Sequence, residues 1–561
     1  MKLIIQASQR IAERLTWCTA SRDQAGIAKD LAEGKEISEV YGLGEAGLFD
    51  EYFYFLEELG VMDLFMGLDP QKGQRTSNVK FPAVILIYLM RIVAGLAFFR
   101  HIDPVVLSSQ PLMRLVGFNG RQIREGTSDR GNKRAAAESR EDSEQEDDAA
   151  SKPSQIRGPY CPDSIATYVQ AIAANALERL FNGVVSILAA RSFFPKKIKA
   201  LLDSSEIQST ELCEGCGKVS KEKAPELRRR RKRIRKVMET VFGFKIWVVW
   251  DPTSRLPIAL RFTTIEVSDV NMAREVVEQA ITNLGDHATI ESLAIDRGFM
   301  DGKLLWWLDS VNITFYIPSK TNLNVYTDAL SLTESGIRET RDKSRSVGSG
   351  KNKTTVVDHW DVVGIEGLTS AGFYGEIGGG SHENRKDFTP NPINAVVVLD
   401  DPYKLNNPGS DTLVILTNGA VNKPFNIYDG YDARSEIENS LFREAKQAWF
   451  IQRPARNNAA AFRSHVYLTL IVMALTTAFQ TWMDQQDKLA QKGQDTGIRK
   501  FREKVRQENG NKLIVFDGER YAIFDTYEVF ILCGTNVRKP TGVEEVITKN
   551  DILRKYAALP Q

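Results

Sequence analysis

The stretch from Glu291 to Lys320 constrains this chain most. It reads Glu-Ser-Leu-Ala-Ile-Asp-Arg-Gly-Phe-Met-Asp-Gly, then a tryptophan-bearing run, then Thr-Phe-Tyr-Ile-Pro-Ser-Lys. The pattern predicts a short buried strand ending at Asp296, a glycine turn, a helix from about Gly302 to Asp309 and a second apolar strand. Such units set a polar residue at the carboxyl edge of a sheet, where open α/β folds place their chemistry. Another apolar run, Ile198 to Asp203, also stops at an acid. Between the two acids lie β-rich segments, Phe244 to Trp250 and Pro257 to Val267, joined by a turn-like Asp-Pro-Thr-Ser-Arg. A helix from Asn271 to Leu284, closed by Gly285, follows them.

This order predicts an α/β protein with a mixed sheet and helices on its faces. The element order resembles that of a ribonuclease-H-like fold. At 561 residues the chain exceeds one hydrophobic core. Residues 1–118 read as a helical domain and a candidate DNA-binding domain, although no clear helix-turn-helix signature is present. Residues 119–158 are polar and acidic and bury too little to offset chain entropy, so they read as a disordered linker. Residues 159–320 form the first part of the core. Residues 321–425 read as a β-rich insertion, 426–480 as the last part of the core, and 481–561 as an α+β appendage.

A third acid comes from the patterned helix at 426–447. Tyr431, Arg434 and Glu438 are spaced three and four apart and share one face of an α-helix. An arginine one turn from a carboxylate suits a site that grips phosphate beside metal ions. Glu436 lies about 200° from Glu438 around the helix, so both cannot face one site. Glu206 is the other near rival; lying just past Asp203, it is placed to act beside the site rather than in it.

On these residues the chain resembles the DDE transposases of bacterial insertion sequences, in the group with a YREK box. That box is Tyr, two residues, Arg, three residues, Glu, six residues, Lys. Tyr431, Arg434 and Glu438 fit. The fourth position is Ala445, and Lys446 comes one residue late, turned by about 100° on an α-helix. Asp203 resembles the family's first acid. Asp296, with Arg297-Gly298-Phe299, resembles the second.

The resemblance implies that Asp203, Asp296 and Glu438 hold two divalent ions, Mg2+ (or Mn2+), for hydrolysis of DNA ends and strand transfer. It implies DNA as partner, both terminal inverted repeats and target, and a homodimer on paired ends. Tyr431, Arg434, Lys446, Arg297 and Trp306 are the candidate DNA contacts, Trp306 or Trp307 holding a flipped base. Two alternatives stand beside this reading: a nuclease on the same fold without strand transfer, and a decayed transposase that only binds DNA.

Composition narrows the rest. A net charge of +1 leaves DNA binding to local basic segments, here Arg228 to Lys236 and Arg338 to Lys353. Five cysteines make no disulfide framework, and Cys213-x-x-Cys216 is half of a zinc site. No signal peptide is expected. Arg91 argues against a membrane span at Phe81 to Phe99, and Val466 to Phe479 is short for one. A bacterial cytoplasmic, nucleoid-associated location follows as an expectation. No phosphate-cradling glycine loop points to ATP.

Overall fold

Alternating apolar residues give the central strands one buried row each, and burial of both faces in the middle of the sheet turns them continuously apolar. In the computed structural model, residues 21–42, 47–70, 79, 81–118, 122–123, 160–222, 238–347, 354–375, 391–407, 409–488, 512–534 and 548–557 are described. The linker expected at 119–158, apart from 122–123, and the basic run Arg228 to Lys236 lie outside them. The chain divides into two units, Phe181–Lys446 and a second made of Met1–Leu180 with Gln447–Gln561.

The first unit is built on a ten-stranded mixed sheet. Its strands are β1 (Lys197–Ser209), β2 (Gly217–Glu222), β3 (Met238–Asp251), β4 (Leu256–Thr264), β5 (Thr289–Ile295), β6 (Thr314–Pro318), β7 (Ile337–Val347), β8 (Thr354–Leu368), β9 (Ile393–Asp400) and β10 (Leu413–Thr417). The spatial order is β2-β3-β1-β5-β6-β10-β9-β8-β7, with β4 also paired to β3. β1, β5 and β6 run parallel, while β3 and β4 fold back antiparallel. That is ribonuclease-H topology. The β-rich stretch at 321–425 is continuous with this sheet through the β6–β10 pair.

Two sequence expectations change here. β1 does not end at Asp203. Its pairing with β5 stops at Leu202 and Ile295, but its pairing with β3 continues to Ser209. The polar residues after Asp203 mark the loss of one neighbour, not the end of a strand. Of the basic segment Arg338 to Lys353, residues 338–347 are strand β7 rather than loop, and 348–353 lie outside the described residues. Arg338 pairs with Asp361 at 2.6 Å and Arg341 with Asp429 at 2.9 Å, while Arg345 pairs with Asp358. These guanidiniums are already matched to carboxylates.

Helix α1 (Asp269–Leu284) packs on β3 and β4, and α2 (Gly302–Ser310) on β6. Helix α3 (Asn324–Ser331) lies on β8 and β9, and α4 (Pro424–Asp432) reaches β6 and β8 to β10. Gly430 makes α4's close approach possible: a Cβ there would lie 2.6 Å from the Tyr316 ring.

In the second unit, Ala459–Lys488 packs on Gly47–Glu58, Phe81–Val93 and Pro162–Gln170. The apolar run Val466 to Phe479 lies within this helix. Ala459–Met483 is long and apolar enough to cross a membrane, yet 72% of its most apolar stretch is buried, as in the core helix of a folded domain. A four-stranded sheet joins distant segments in the order Ser21–Arg22, Arg520–Asp525, Lys512–Phe516, Glu39–Gly42.

Candidate active site

Asp203 and Asp296 follow the last paired residues of two parallel neighbours, Leu202 and Ile295. Side chains in register on adjacent strands share a face, so the fold alone sets these two acids side by side. The Asp203 carboxylate accepts from the Ser204 backbone N–H at 2.7 Å, and Asp296 accepts from the Gly298 N–H at 3.2 Å. Asp296 thereby caps the short 3-10 turn Arg297–Phe299.

The third acid arrives differently from the expected continuous α-helix. After α4 the chain turns at 433–434, and Ile437–Phe442 is a π-helix containing Glu438. π-Helical turns are rare and recur at functional sites. They take up one more residue than an α-turn, so the α-helical angles assigned to Glu436 and Lys446 do not apply. The extra residue matches the one-residue delay of Lys446. Lys446 is half-buried, and its electrostatic neighbour is Glu206. Burial holds the Lys446 ammonium below its usual range while Glu206 pulls the other way.

Arg434 stands at the centre. Its Nη1 lies 3.0 Å from Asp203 Oδ2, 2.9 Å from Glu438 Oε1 and 3.9 Å from Asp296 Oδ1. Three carboxylates far apart in sequence therefore meet at one guanidinium nitrogen. Their exposure is graded: side chains are 9% exposed at Asp203, 41% at Asp296 and 56% at Glu438. The site has a buried floor and an open rim. Tyr431 is largely buried, bonds Arg434 and lies near Asp296 and Arg297.

Oxygen-only donors converging on one point suit a hard divalent cation such as Mg2+. With Arg434 Nη1 at that point, no three acidic, His or Cys side chains among the described residues are drawn close enough to hold a metal. The donor set fits; its closure requires the guanidinium to move aside.

Burial pushes the Asp203 carboxyl up to about 7, opposed by the Ser204 N–H and Arg434 and reinforced by Asp296 and Glu438. Between its ordinary value of 3.8 and about 7, the folded chain binds more protons here than the unfolded one. Stability contributed by this proton is full at low pH and is lost as pH rises toward 7. We predict that the melting temperature of Asp203→Asn, which cannot ionise, rises relative to that of the parent by roughly 2–8 °C between pH 4 and pH 8, on top of any constant offset from losing the pair with Arg434. Thermal melts without divalent ions test this; a pH-independent difference would contradict it.

The other candidates are placed less centrally. Arg297 lies near Tyr326 and Tyr431. Trp306 packs edge-on against Tyr374 at 5.2 Å, and Trp307 lies under the Arg274 guanidinium at 5.0 Å. Both rings thus have partners within the fold. Cys213 and Cys216 lie within reach of each other, with no third metal ligand grouped with them among the described residues.

Sequence reasoning missed Asp269, on the first turn of α1. It accepts from Trp247 Nε1 at 2.9 Å and pairs with Lys245 at 3.3 Å. A Cβ on Gly298 would lie 3.3 Å from Asp269 Oδ2 and 3.5 Å from Asp296 Oδ2. A fourth carboxylate therefore flanks the turn that follows Asp296. Its helix-start position is a common place for an acid, so nothing in the sequence singled it out.

The family model described as "Transposase DDE domain" matches residues 197–475, a stretch that takes in all three acids and Arg434. Among solved structures, one described as "Cryo-EM structure of piggyBac transposase synaptic complex with hairpin DNA (SNHP)" is similar at 9% identity and a TM-score of 0.36, covering 88% of this chain and 82% of that chain. No curated protein matches.

Proposed function

We propose that this chain is a DNA transposase of the bacterial insertion-sequence kind with a YREK box, cutting the ends of its element and joining them to target DNA. The observation that carries this reading is the meeting of Asp203, Asp296 and Glu438 at Arg434 within a segment matched by the transposase DDE domain. Asp203, Asp296 and Glu438 would hold divalent ions. Bound there, such ions would supply activation of a water or 3′ hydroxyl and stabilisation of the leaving oxygen.

The chain's own residues do the rest. Strands β1 and β5 fix two carboxylates rigidly in register, while the π-helical turn brings the third from the open side. Arg434 neutralises the acids at rest. Once released, its guanidinium lies beside the reacting position, where it can grip a DNA phosphate bidentately. Tyr431 holds Arg434 by its hydroxyl. Arg297 adds positive charge next to Asp296. Two copies, each carrying one such site, would pair two element ends.

The test is an assay with labelled element ends, a target plasmid and Mg2+. Cleavage followed by joining is the expected result. Cleavage without joining would leave a nuclease, and binding without cleavage a DNA-binding relic; either would overturn the reading.

A further inference from the structure

Among the described residues, the second unit carries a buried cation whose contacts include no acid. Arg91 is 1% exposed on helix Phe81–Val93. Among the described residues, its contacts are the Tyr88 hydroxyl, the Arg453 backbone carbonyl and the rings of Tyr88 and Phe99. Burying a guanidinium without a counter-ion is costly, so what this one holds in place matters.

It holds one turn, by two routes. Directly, Arg91 Nη2 donates to the Arg453 carbonyl at 2.6 Å. Indirectly, Nη1 donates to the Tyr88 hydroxyl at 3.1 Å, and that hydroxyl lies 3.0 Å from His465 Nδ1. The other ring nitrogen, Nε2, lies 3.1 Å from the Phe450 carbonyl. A carbonyl only accepts, so Nε2 carries the imidazole proton, Nδ1 accepts and the tyrosine donates. Burial keeps His465 neutral, its pKa pushed down to about 3. The relay runs Arg91, Tyr88, His465, Phe450. The turn it grips is tight: Phe450 has a φ of +54°, and Arg453 N–H donates to the Phe450 carbonyl at 2.8 Å. Left-handed backbone at a bulky residue is strained and persists only where the surroundings enforce it.

The turn presents Arg453 at the surface. Its guanidinium lies 4.8 Å from the centroid of Phe98, and that of Arg100 lies 5.5 Å from the same ring. Phe98 is 49% exposed, and both arginines are exposed. The contacts of Arg91, Arg100 and Arg453 include no carboxylate among the described residues. Among the described residues, the result is a positive patch with no carboxylate in contact, around a half-exposed ring that also meets His101 edge-on at 5.3 Å.

We propose that Phe98, Arg100 and Arg453 form a nucleic-acid contact on the second unit, the arginines taking backbone phosphates and the phenyl face stacking on an unpaired base. Charge alone would also suit an acidic peptide. The half-open ring between two guanidiniums favours a base, because every base offers a flat face and the combination of stacking and cation–π contact is what single-stranded segments use. The proposal deepens the transposase reading by naming a DNA surface outside the acidic site.

The test is fluorescence anisotropy with a labelled duplex and a labelled oligothymidine, titrated across salt. Arg100→Ala with Arg453→Ala should weaken both by about tenfold or more and lower the slope of log K against log salt by about two. Phe98→Ala should weaken oligothymidine by about tenfold and the duplex less. Thermal melts confirm that each variant is folded. Unchanged affinity and slope in folded variants would overturn the proposal, as would loss of binding to an acidic peptide alone. Cleavage by the parent protein is scored in parallel. Cleavage with no effect of the patch variants on binding sinks the patch and spares the transposase reading; patch-dependent binding without cleavage does the reverse.

Discussion

Asp296→Asn should cut element-end cleavage by about 1000-fold or more while leaving end binding within about threefold of the parent. The asparagine keeps the shape and the cap on Gly298 but loses the charge that a metal ligand needs. Removing several kcal/mol of transition-state stabilisation corresponds to that loss, at about 1.4 kcal/mol per tenfold. Asp296 is 41% exposed and lies just past the end of β5, so its replacement should barely disturb folding. End cleavage on a labelled duplex, with binding measured separately, decides it. Cleavage retained within tenfold would remove Asp296 from the chemistry.

Arg434→Ala should have two effects of opposite dependence on divalent ions. Without them, Asp203, Asp296 and Glu438 lose their shared cation. Breaking a largely buried pair from one side costs about 3–5 kcal/mol, which should appear as a markedly lower melting temperature. Adding Mn2+ should restore more stability to the variant than to the parent, because the ion then meets no guanidinium to displace. Cleavage should still fall by about 100-fold, the scale for losing one charged group aimed at the reacting phosphate. Melting curves with and without Mn2+ are the readout. A variant as stable as its parent, or one blind to the ion, would show that Arg434 does not neutralise the acids.

Much of the ten-stranded sheet was legible because its signals are local. Leu293 to Ile295 followed by Asp-Arg-Gly reads as a strand and a turn, and β5 ends at Ile295 as that pattern requires. The helix expected from Gly302 to Asp309 differs by one residue from Gly302–Ser310. Asp203 was harder, because a strand can lose one neighbour and keep the other. Periodicity senses the fall in burial, not which edge is still paired. Glu438 illustrates another limit: an i→i+5 hydrogen-bond register leaves little trace in an apolar pattern, so the π-helical turn was read as plain α-helix. The arginines of β7 looked like free charge because their partners, Asp358, Asp361 and Asp429, come 13 to 88 residues later. The network beneath Phe98 was invisible for the same reason: Tyr88 and His465 are 377 residues apart.

The small sheet joining the two ends of the chain bears on how the protein is made. Gln24 bonds Ile523 across 499 residues, and Ser21–Arg22 pairs with Arg520 and Tyr521. On the ribosome, Glu39–Gly42 has no mate until Lys512–Phe516 has emerged, and Ser21–Arg22 none until Arg520 and Tyr521 have. The stretch Phe181–Lys446, by contrast, is unbroken and can complete its sheet first. A translation product that stops after Lys446 therefore carries the acids on a finished sheet while Ser21–Gly42 still lacks its partner strands.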